Sequence, residues 1–183
     1  MDEVFAAISR EQIFAETGLQ FMEFNTLFQL YALKQQASSQ LDVAKTFLMI
    51  PDLFHWLMTG VKSNEFTNAS TTQFLNPQTR SWSDDLMAAL GLPSDILQTI
   101  EPPGTCLGNL QQSVQDATGL RDTKVIVPGT HDTASAVMAV PANATFGAPP
   151  NWCYISSGTW SLMGVESPQP VVSDRCLQLN FTN

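Results

Sequence analysis

The sequence predicts an α/β chain in which a mainly helical part is followed by a part built from strands and one short helix. Three observations carry that expectation. Apolar residues recur at helical spacing near the start, the run Val125-Ile126-Val127 ends at Pro128-Gly129 as a buried strand does, and two strand-like runs flank the turn sequence Ser156-Ser157-Gly158-Thr159. The charge changes at the same place as the pattern: 20 charged residues lie between Met1 and Asp122, and only Lys124, Asp132, Glu166, Asp174 and Arg175 follow. A division near residues 119 to 124 accounts for both changes.

The elements follow in order. Val4, Phe5 and Ile8 share one helical face, and Phe24, Leu27, Phe28 and Tyr31 form a second stripe, with Asn25 or Thr26 placed to cap it. Both stripes are read as core. A helix is expected over Leu41 to Ile50, and Pro51 suits the first position of another that runs to Thr59 and stops at Gly60. His55 and Trp56 fall on that helix, with His55 expected to be partly exposed. Asn, Thr and Ser dominate from Asn64 to Gln73, which reads as an irregular or briefly extended segment whose side chains bond to backbone.

Asn76-Pro77 marks a turn. Ser83 before Asp84-Asp85-Leu86 starts a helix that Gly91 and Pro93 end, and Ser94 offers a start for one more short helix. Gln111 to Gly119 is polar with few anchors. After the buried strand at 125–127, Thr130 to Val140 reads as a helix whose small residues Ala134, Ser135, Ala136 and Ala139 allow close packing on a sheet. Trp152 to Ile155 and Trp160 to Val165 read as a hairpin, and the alternation in Cys176-Leu177-Gln178-Leu179-Asn180-Phe181 reads as a closing strand.

Composition removes several classes of function. A net charge of −9 argues against a dedicated nucleic-acid or anionic-membrane surface, while leaving room for a local phosphate site. The most apolar stretch, around Phe47 to Met58, is broken by Pro51, Asp52 and His55 and falls short of the roughly 20 apolar residues of a membrane span. The start, Met1-Asp2-Glu3, lacks the basic and then apolar run of a secretion signal. Cys106, Cys153 and Cys176 are widely spaced, and with only His55 and His131 beside them they do not suggest a zinc site; a reducing cytoplasm is the expected setting.

Two segments carry candidate chemistry. In Gly129-Thr130-His131-Asp132-Thr133 a strand ends and a helix begins, which is where open α/β folds bind ligands and where a carboxylate is favoured. Asp132 is either a capping residue or an acceptor for the proton of a substrate hydroxyl, with His131 and Thr133 supplying hydrogen bonds. The turn at Ser156 to Trp160 is either an ordinary hairpin or a set of N–H and hydroxyl groups that meets a phosphate. No Gly-x-Gly or Gly-Lys-Ser/Thr phosphate loop occurs, and no Gly-x-Ser-x-Gly elbow supports a hydrolase built from Ser157, His131 and Asp132.

Taken together these segments resemble the rhamnulokinase branch of the FGGY carbohydrate kinases. The resemblance runs over essentially the whole chain, through Thr17 to Phe21, Asn25 to Leu30, Met49-Ile50-Pro51-Asp52, Thr67 to Gln73, His131 to Val137 and Ser156 to Met163. It implies part of an actin-like ATPase (ribonuclease H-like) fold: residues 1–122 as the later portion of a sugar-binding domain, and 123–183 as the start of an ATP-binding domain. It implies a cytoplasmic enzyme that phosphorylates a ketose with ATP and Mg²⁺, converting L-rhamnulose to L-rhamnulose 1-phosphate. By the same resemblance Asp132 is the catalytic base, His131 and Thr133 contact the sugar, and Thr159 contacts the ATP phosphates.

The departures from the family pattern are as informative. No Asp-x-Gly phosphate loop occurs in the sequence, and the adenosine-binding part of the second domain has no counterpart. The expectation is therefore an internal piece of a kinase, inactive by itself and completed by flanking segments. Two alternatives remain at this point: a related kinase for another sugar such as L-fuculose, and a non-catalytic module that keeps the actin-like fold.

Overall fold

A computed structural model of the chain describes residues 1–142, 149 and 151–183. Helices α1 (Asp2–Ala7) and α2 (Arg10–Thr17) open it, with Ser9 and Gln12 forming a reciprocal capping box at the start of α2 and Gly18 ending it in the left-handed conformation. Helix α3 (Thr26–Gln35) lays Leu27, Phe28 and Leu30 into the core. There they meet Val4, Ile13 and Phe14, and Phe5 stands edge-on to Phe21 and Phe28 with centroids 5.2 and 5.8 Å apart. Phe24 departs from the expected stripe: it precedes the helix and is 59% exposed.

The helix expected over residues 41–50 is replaced by a short α4 (Ser39–Val43) followed by extended chain. The reason is a competing partner, since the Phe47 N–H donates to the Ile96 carbonyl at 2.7 Å. Helix α5 (Ile50–Thr59) then has Pro51 in its first turn and Gly60 at its C-cap with φ +79°, as the sequence suggests. His55 on α5 is buried rather than partly exposed.

Strand β1 (Asn64–Glu65) leads into a four-residue helix, α6 (Phe66–Ala69), and a 3₁₀ turn at Ser70–Thr72, where the sequence suggested irregular chain. The hydroxyls of Ser70, Thr71 and Thr72 each donate back to a carbonyl three residues earlier, so the polar run is spent on local bonds. Strands β2 (Leu75–Asn76) and β3 (Ser81–Trp82) form a hairpin whose turn is held by the Asn76 carboxamide oxygen. Helix α7 (Asp84–Leu90) is capped by Ser83 and stopped by Gly91, and it buries Leu86, Met87 and Leu90.

Beyond α7, a 3₁₀ turn covers Ser94–Ile96 and β4 (Ile100–Glu101) pairs in parallel with β1. Strand β5 (Cys106–Asn109), helix α8 (Gln112–Thr118) and strand β6 (Lys124–Ile126) follow, β5 and β6 running antiparallel against α5. The segment at 125–127 is thus half of a two-stranded pair and only half-buried: Val125 and Val127 point in, while Ile126 is 51% exposed. Helix α9 (Asp132–Met138) and the hairpin of β7 (Tyr154–Ser157) with β8 (Ser161–Gly164) come next.

The closing segment is a helix, α10 (Asp174–Leu179), not the expected strand. Ser173 caps it by accepting the Cys176 N–H, and Cys176 and Leu177 turn together onto the core beside α2. A strand would have spread Leu177 and Leu179 along one edge; the helix concentrates its apolar contact and leaves Leu179 exposed.

Candidate functional site

The site is assembled where β6 gives way to α9. Val127 is anchored in the interior, and the loop from Pro128 to His131 carries the chain to the helix start. Gly129 is needed at this turn for space: a Cβ there would lie 2.9 Å from Ser135 Oγ, and Ser135 Oγ donates to the Gly129 carbonyl. The loop is thus folded back on the first turn of α9.

His131 occupies the N-cap of α9 without a side-chain capping bond, and Asp132 is the first helical residue. The Asp132 carboxylate is exposed and uses one oxygen, Oδ1, to accept the Thr133 N–H at 2.7 Å and the Thr133 hydroxyl at 3.4 Å. These bonds reach only the next residue, so Asp132 is not the cap of α9, and it keeps Oδ2 without a hydrogen bond from the described residues. His131 and Thr133 flank it, both half-buried.

Thr159 stands apart from these three on the exposed turn between β7 and β8. That hairpin meets the rest of the described residues where β7 packs against α9 and where Trp160 stands edge-on to Phe24 with ring centroids 6.0 Å apart. The structure therefore gathers His131, Asp132 and Thr133 at one helix start and places the Thr159 turn on the neighbouring element. No hydrogen bond joins the two groups among the described residues.

Sequence reasoning missed the groups that hold the loop. Glu65, at the end of β1, is buried, and its carboxylate accepts five hydrogen bonds. Three come from Thr67 N at 2.8 Å, Thr67 Oγ1 at 2.5 Å and Asn68 N at 3.1 Å. The other two come from Thr130 N at 3.0 Å and Thr130 Oγ1 at 2.8 Å, across 65 residues. Thr67 Oγ1 in turn accepts the His131 N–H at 3.1 Å. Behind Glu65 sits Asp52, also buried, whose Oδ1 accepts the Glu65 N–H at 3.0 Å and whose Oδ2 accepts Asn64 Nδ2 at 2.8 Å; His55 Nδ1 lies 4.0 Å from Oδ1.

The two buried acids titrate in opposite directions. Burial pushes the Asp52 carboxyl above its ordinary value of 3.8, and the hydrogen bonds from Asn64 and Glu65 only partly oppose it. Burial acts the same way on Glu65, but the donors on Thr67 and Thr130 together outweigh it and hold the group below its ordinary 4.5. The signal in the sequence was the pair of acids Asp52 and Glu65 in stretches poor in charge, which has no meaning until the fold brings Thr130 alongside.

Open grooves lie elsewhere on the described residues. One, of about 400 Å³, is lined by Phe24, Asn25, Gln29, Met49 and Thr71 among others, and the other, of about 430 Å³, by Arg10, Glu11 and the face of α10; neither is lined by the four sequence-marked residues. Among the described residues no group of three His, Cys, Asp or Glu is placed to hold a metal ion, and no helix is long and apolar enough to cross a membrane.

Comparison with known proteins shows the family. Residues 1–139 match the model of the FGGY family of carbohydrate kinases, N-terminal domain. The chain is 48% identical over all 183 residues to the rhamnulokinases of Oceanobacillus iheyensis and Halalkalibacterium halodurans, and 38% identical to that of Bacillus subtilis. It spans only 37%, 38% and 36% of the lengths of those three relatives. Among solved structures, the xylulose kinase from Rhodospirillum rubrum superposes on 95% of the chain with a TM-score of 0.79 at 19% identity, the match covering 35% of that protein. A carbohydrate kinase from Novosphingobium aromaticivorans covers 91% of the chain with a TM-score of 0.69 at 24% identity, the match covering 37% of that protein. The fold is thus part of the sugar-kinase architecture that the sequence suggested, and the chain belongs to the FGGY family of carbohydrate kinases.

Proposed function

We propose that the protein carrying this chain transfers the γ-phosphoryl group of ATP to a ketose, with L-rhamnulose as the sugar and L-rhamnulose 1-phosphate as the product. The observation that carries the reading is the 48% identity to two rhamnulokinases over every residue of the chain. It is supported by an exposed carboxylate, Asp132, on a loop that buried acids and threonines tie down. A phosphoryl-transfer site needs this kind of order, because positioning and charge stabilisation supply most of its rate.

In this reading Asp132 Oδ2 takes the proton of the sugar hydroxyl as its oxygen bonds to the γ-phosphorus and the bond to the β-phosphate oxygen breaks. Oδ1 stays committed to Thr133, which fixes the plane of the carboxylate. His131 and Thr133 bind the sugar from either side of the base. Thr159 meets the ATP phosphates from the β7–β8 turn, whose exposed hydroxyls suit an anion. ATP supplies the phosphoryl group when bound. The described residues offer no cluster of acids, histidines or cysteines that would hold Mg²⁺.

The division of the chain into 1–122 and 123–183 belongs to the same proposal and rests on the fall in charge after Asp122. Strand β6 crosses it to pair with β5, so the second segment is seated on the first. A cytoplasmic location, also part of the proposal, follows the family resemblance.

The decisive experiment is Asp132→Asn in the full-length protein. The amide oxygen still accepts the Thr133 N–H, so the fold is retained while the proton acceptor is lost. Turnover is expected to fall by about 10²- to 10⁴-fold with sugar binding preserved. Near-normal turnover would remove Asp132 as the base, and faster phosphorylation of L-fuculose than of L-rhamnulose by the wild type would replace the proposed sugar.

A further inference from the structure

We propose that Glu65 is a positioning residue that ties the loop carrying His131 and Asp132 to α6, a role that rests on the kinase reading above for its catalytic meaning but not for its geometry. The carboxylate does more than cap a helix. Capping α6 requires only the Thr67 and Asn68 N–H groups, and α6 is four residues long. Burying a carboxylate for that purpose alone is a poor exchange, since an ionised acid taken out of water needs several strong partners to be tolerated.

The remaining bonds point the other way along the chain. Thr130 gives Glu65 Oε2 both its N–H and its hydroxyl, the two donors that a single acceptor can take from one residue. The Thr67 hydroxyl donates to the same oxygen, which turns its lone pair toward the His131 N–H. One carboxylate oxygen thereby sets the backbone of Thr130 directly and that of His131 through one hydroxyl. The Asp132 side chain follows from these two residues, because α9 begins at the next position.

Asp52 completes the arrangement. By accepting the Glu65 N–H it holds the backbone from which the tie extends, and by accepting Asn64 Nδ2 it holds the preceding residue. The line from α5 to β1 to the 129–131 loop is continuous, and every group in it is at least half-buried. The ionised state of Glu65 is also the one its donors favour.

The test separates tying from capping. Glu65→Asp keeps a carboxylate able to cap α6, but is one carbon, about 1.5 Å, too short for Thr130. Glu65→Gln keeps the reach: with its amide oxygen in the Oε2 place it still accepts from Thr130, and its NH₂ meets only the Thr67 N–H. In the 183-residue chain, amide exchange at Thr130 and His131 is expected to speed up by about 10- to 100-fold in Glu65→Asp and to change less in Glu65→Gln. Exchange over α2 and α7 should stay at wild-type rates, and in Glu65→Asp so should the Asn68 amide.

In the full-length protein Glu65→Asp should lower kcat by about 10- to 100-fold, with KM for ATP changed less than about twofold, and Glu65→Gln should lower it less. Wild-type exchange at Thr130 and His131 in Glu65→Asp would overturn the tie. Faster exchange with unchanged kcat in an active enzyme would overturn its catalytic meaning. If the wild-type protein phosphorylates no ketose, the kinase reading fails on that measurement alone, and the exchange data still decide whether Glu65 holds the loop. A Glu65→Gln chain that does not fold leaves Glu65→Asp to decide.

Discussion

Gly129 and Ser135 form a pair whose coupling follows from one distance. A methyl group at residue 129 would sit 2.9 Å from Ser135 Oγ, closer than real Cβ contacts allow, and the next atoms, on Thr67, are at 3.8 and 3.9 Å. Only the serine hydroxyl has to move in Gly129→Ala, and moving it breaks its hydrogen bond to the carbonyl of residue 129. The cost of the substitution is then about that of one intramolecular hydrogen bond, roughly 1 kcal/mol. Ser135→Ala breaks the same bond and should cost about the same. The double variant has no hydroxyl to displace, so it too should cost about 1 kcal/mol rather than 2, a coupling of about 1 kcal/mol.

Urea denaturation of the wild-type chain, the two single variants and the double variant measures this directly. Distant, independent sites add to within about 0.3–0.5 kcal/mol, so the expected coupling stands clear of that margin. Additive losses would refute the geometry of the turn. A loss above about 3 kcal/mol in Gly129→Ala alone would refute it differently, by showing that backbone rather than the hydroxyl meets the new methyl.

Acid titration and proteolysis supply two further tests. Glu65 has a lowered folded pKa, so its stabilisation is complete above its unfolded value of 4.5 and drains away as the pH falls through the folded value. Asp52, with a raised pKa, contributes stability that is complete below 3.8 and is lost as the pH rises through its folded value. Denaturation midpoints measured between pH 3 and 6 should therefore lose part of their acid-side fall in Glu65→Gln, and the stability of Asp52→Asn relative to wild type should rise with pH above 3.8; parallel curves for all three proteins would contradict these assignments. For the domain division, limited proteolysis should cut first between Gly119 and Thr123, where Leu120, Arg121 and Asp122 are exposed, and the pieces should stay associated through β5 and β6. Separation of the pieces without denaturant would count against that seating.

The elements legible in the sequence are those whose instructions are local. Pro51 and Gly60 bracket α5, Ser83 and Gly91 bracket α7, and the Ser-Ser-Gly-Thr turn brings β7 and β8 together. Each of these is decided by residues within a turn or two of the boundary. The failures share a different cause. Phe47 is drawn into extended chain by the Ile96 carbonyl, and the alternation of 176–181 gives way to the pull of the core on Cys176 and Leu177. For the candidate site, sequence reading reached the segments that present side chains outward, His131 to Thr133 and the Thr159 turn. It did not reach the joint role of Glu65, Thr67 and Asp52, whose partners lie up to 65 residues away: alone, Glu65 and Thr67 look like parts of a polar stretch and Asp52 like a break in an apolar one.

That span has a consequence for the order of assembly. Helix α9 fully buries none of its own residues, so apolar packing holds it only weakly. What fixes its start is polar and remote, and the loop closed by the Glu65–Thr130 bonds carries an entropy cost that grows with the logarithm of its length. The caps and short hairpins of the first hundred residues close much smaller loops and can form on their own. During folding the segment bearing Asp132 therefore takes up its geometry after β1 and α6 exist to receive it, and the candidate base is set only once the rest of the framework is standing.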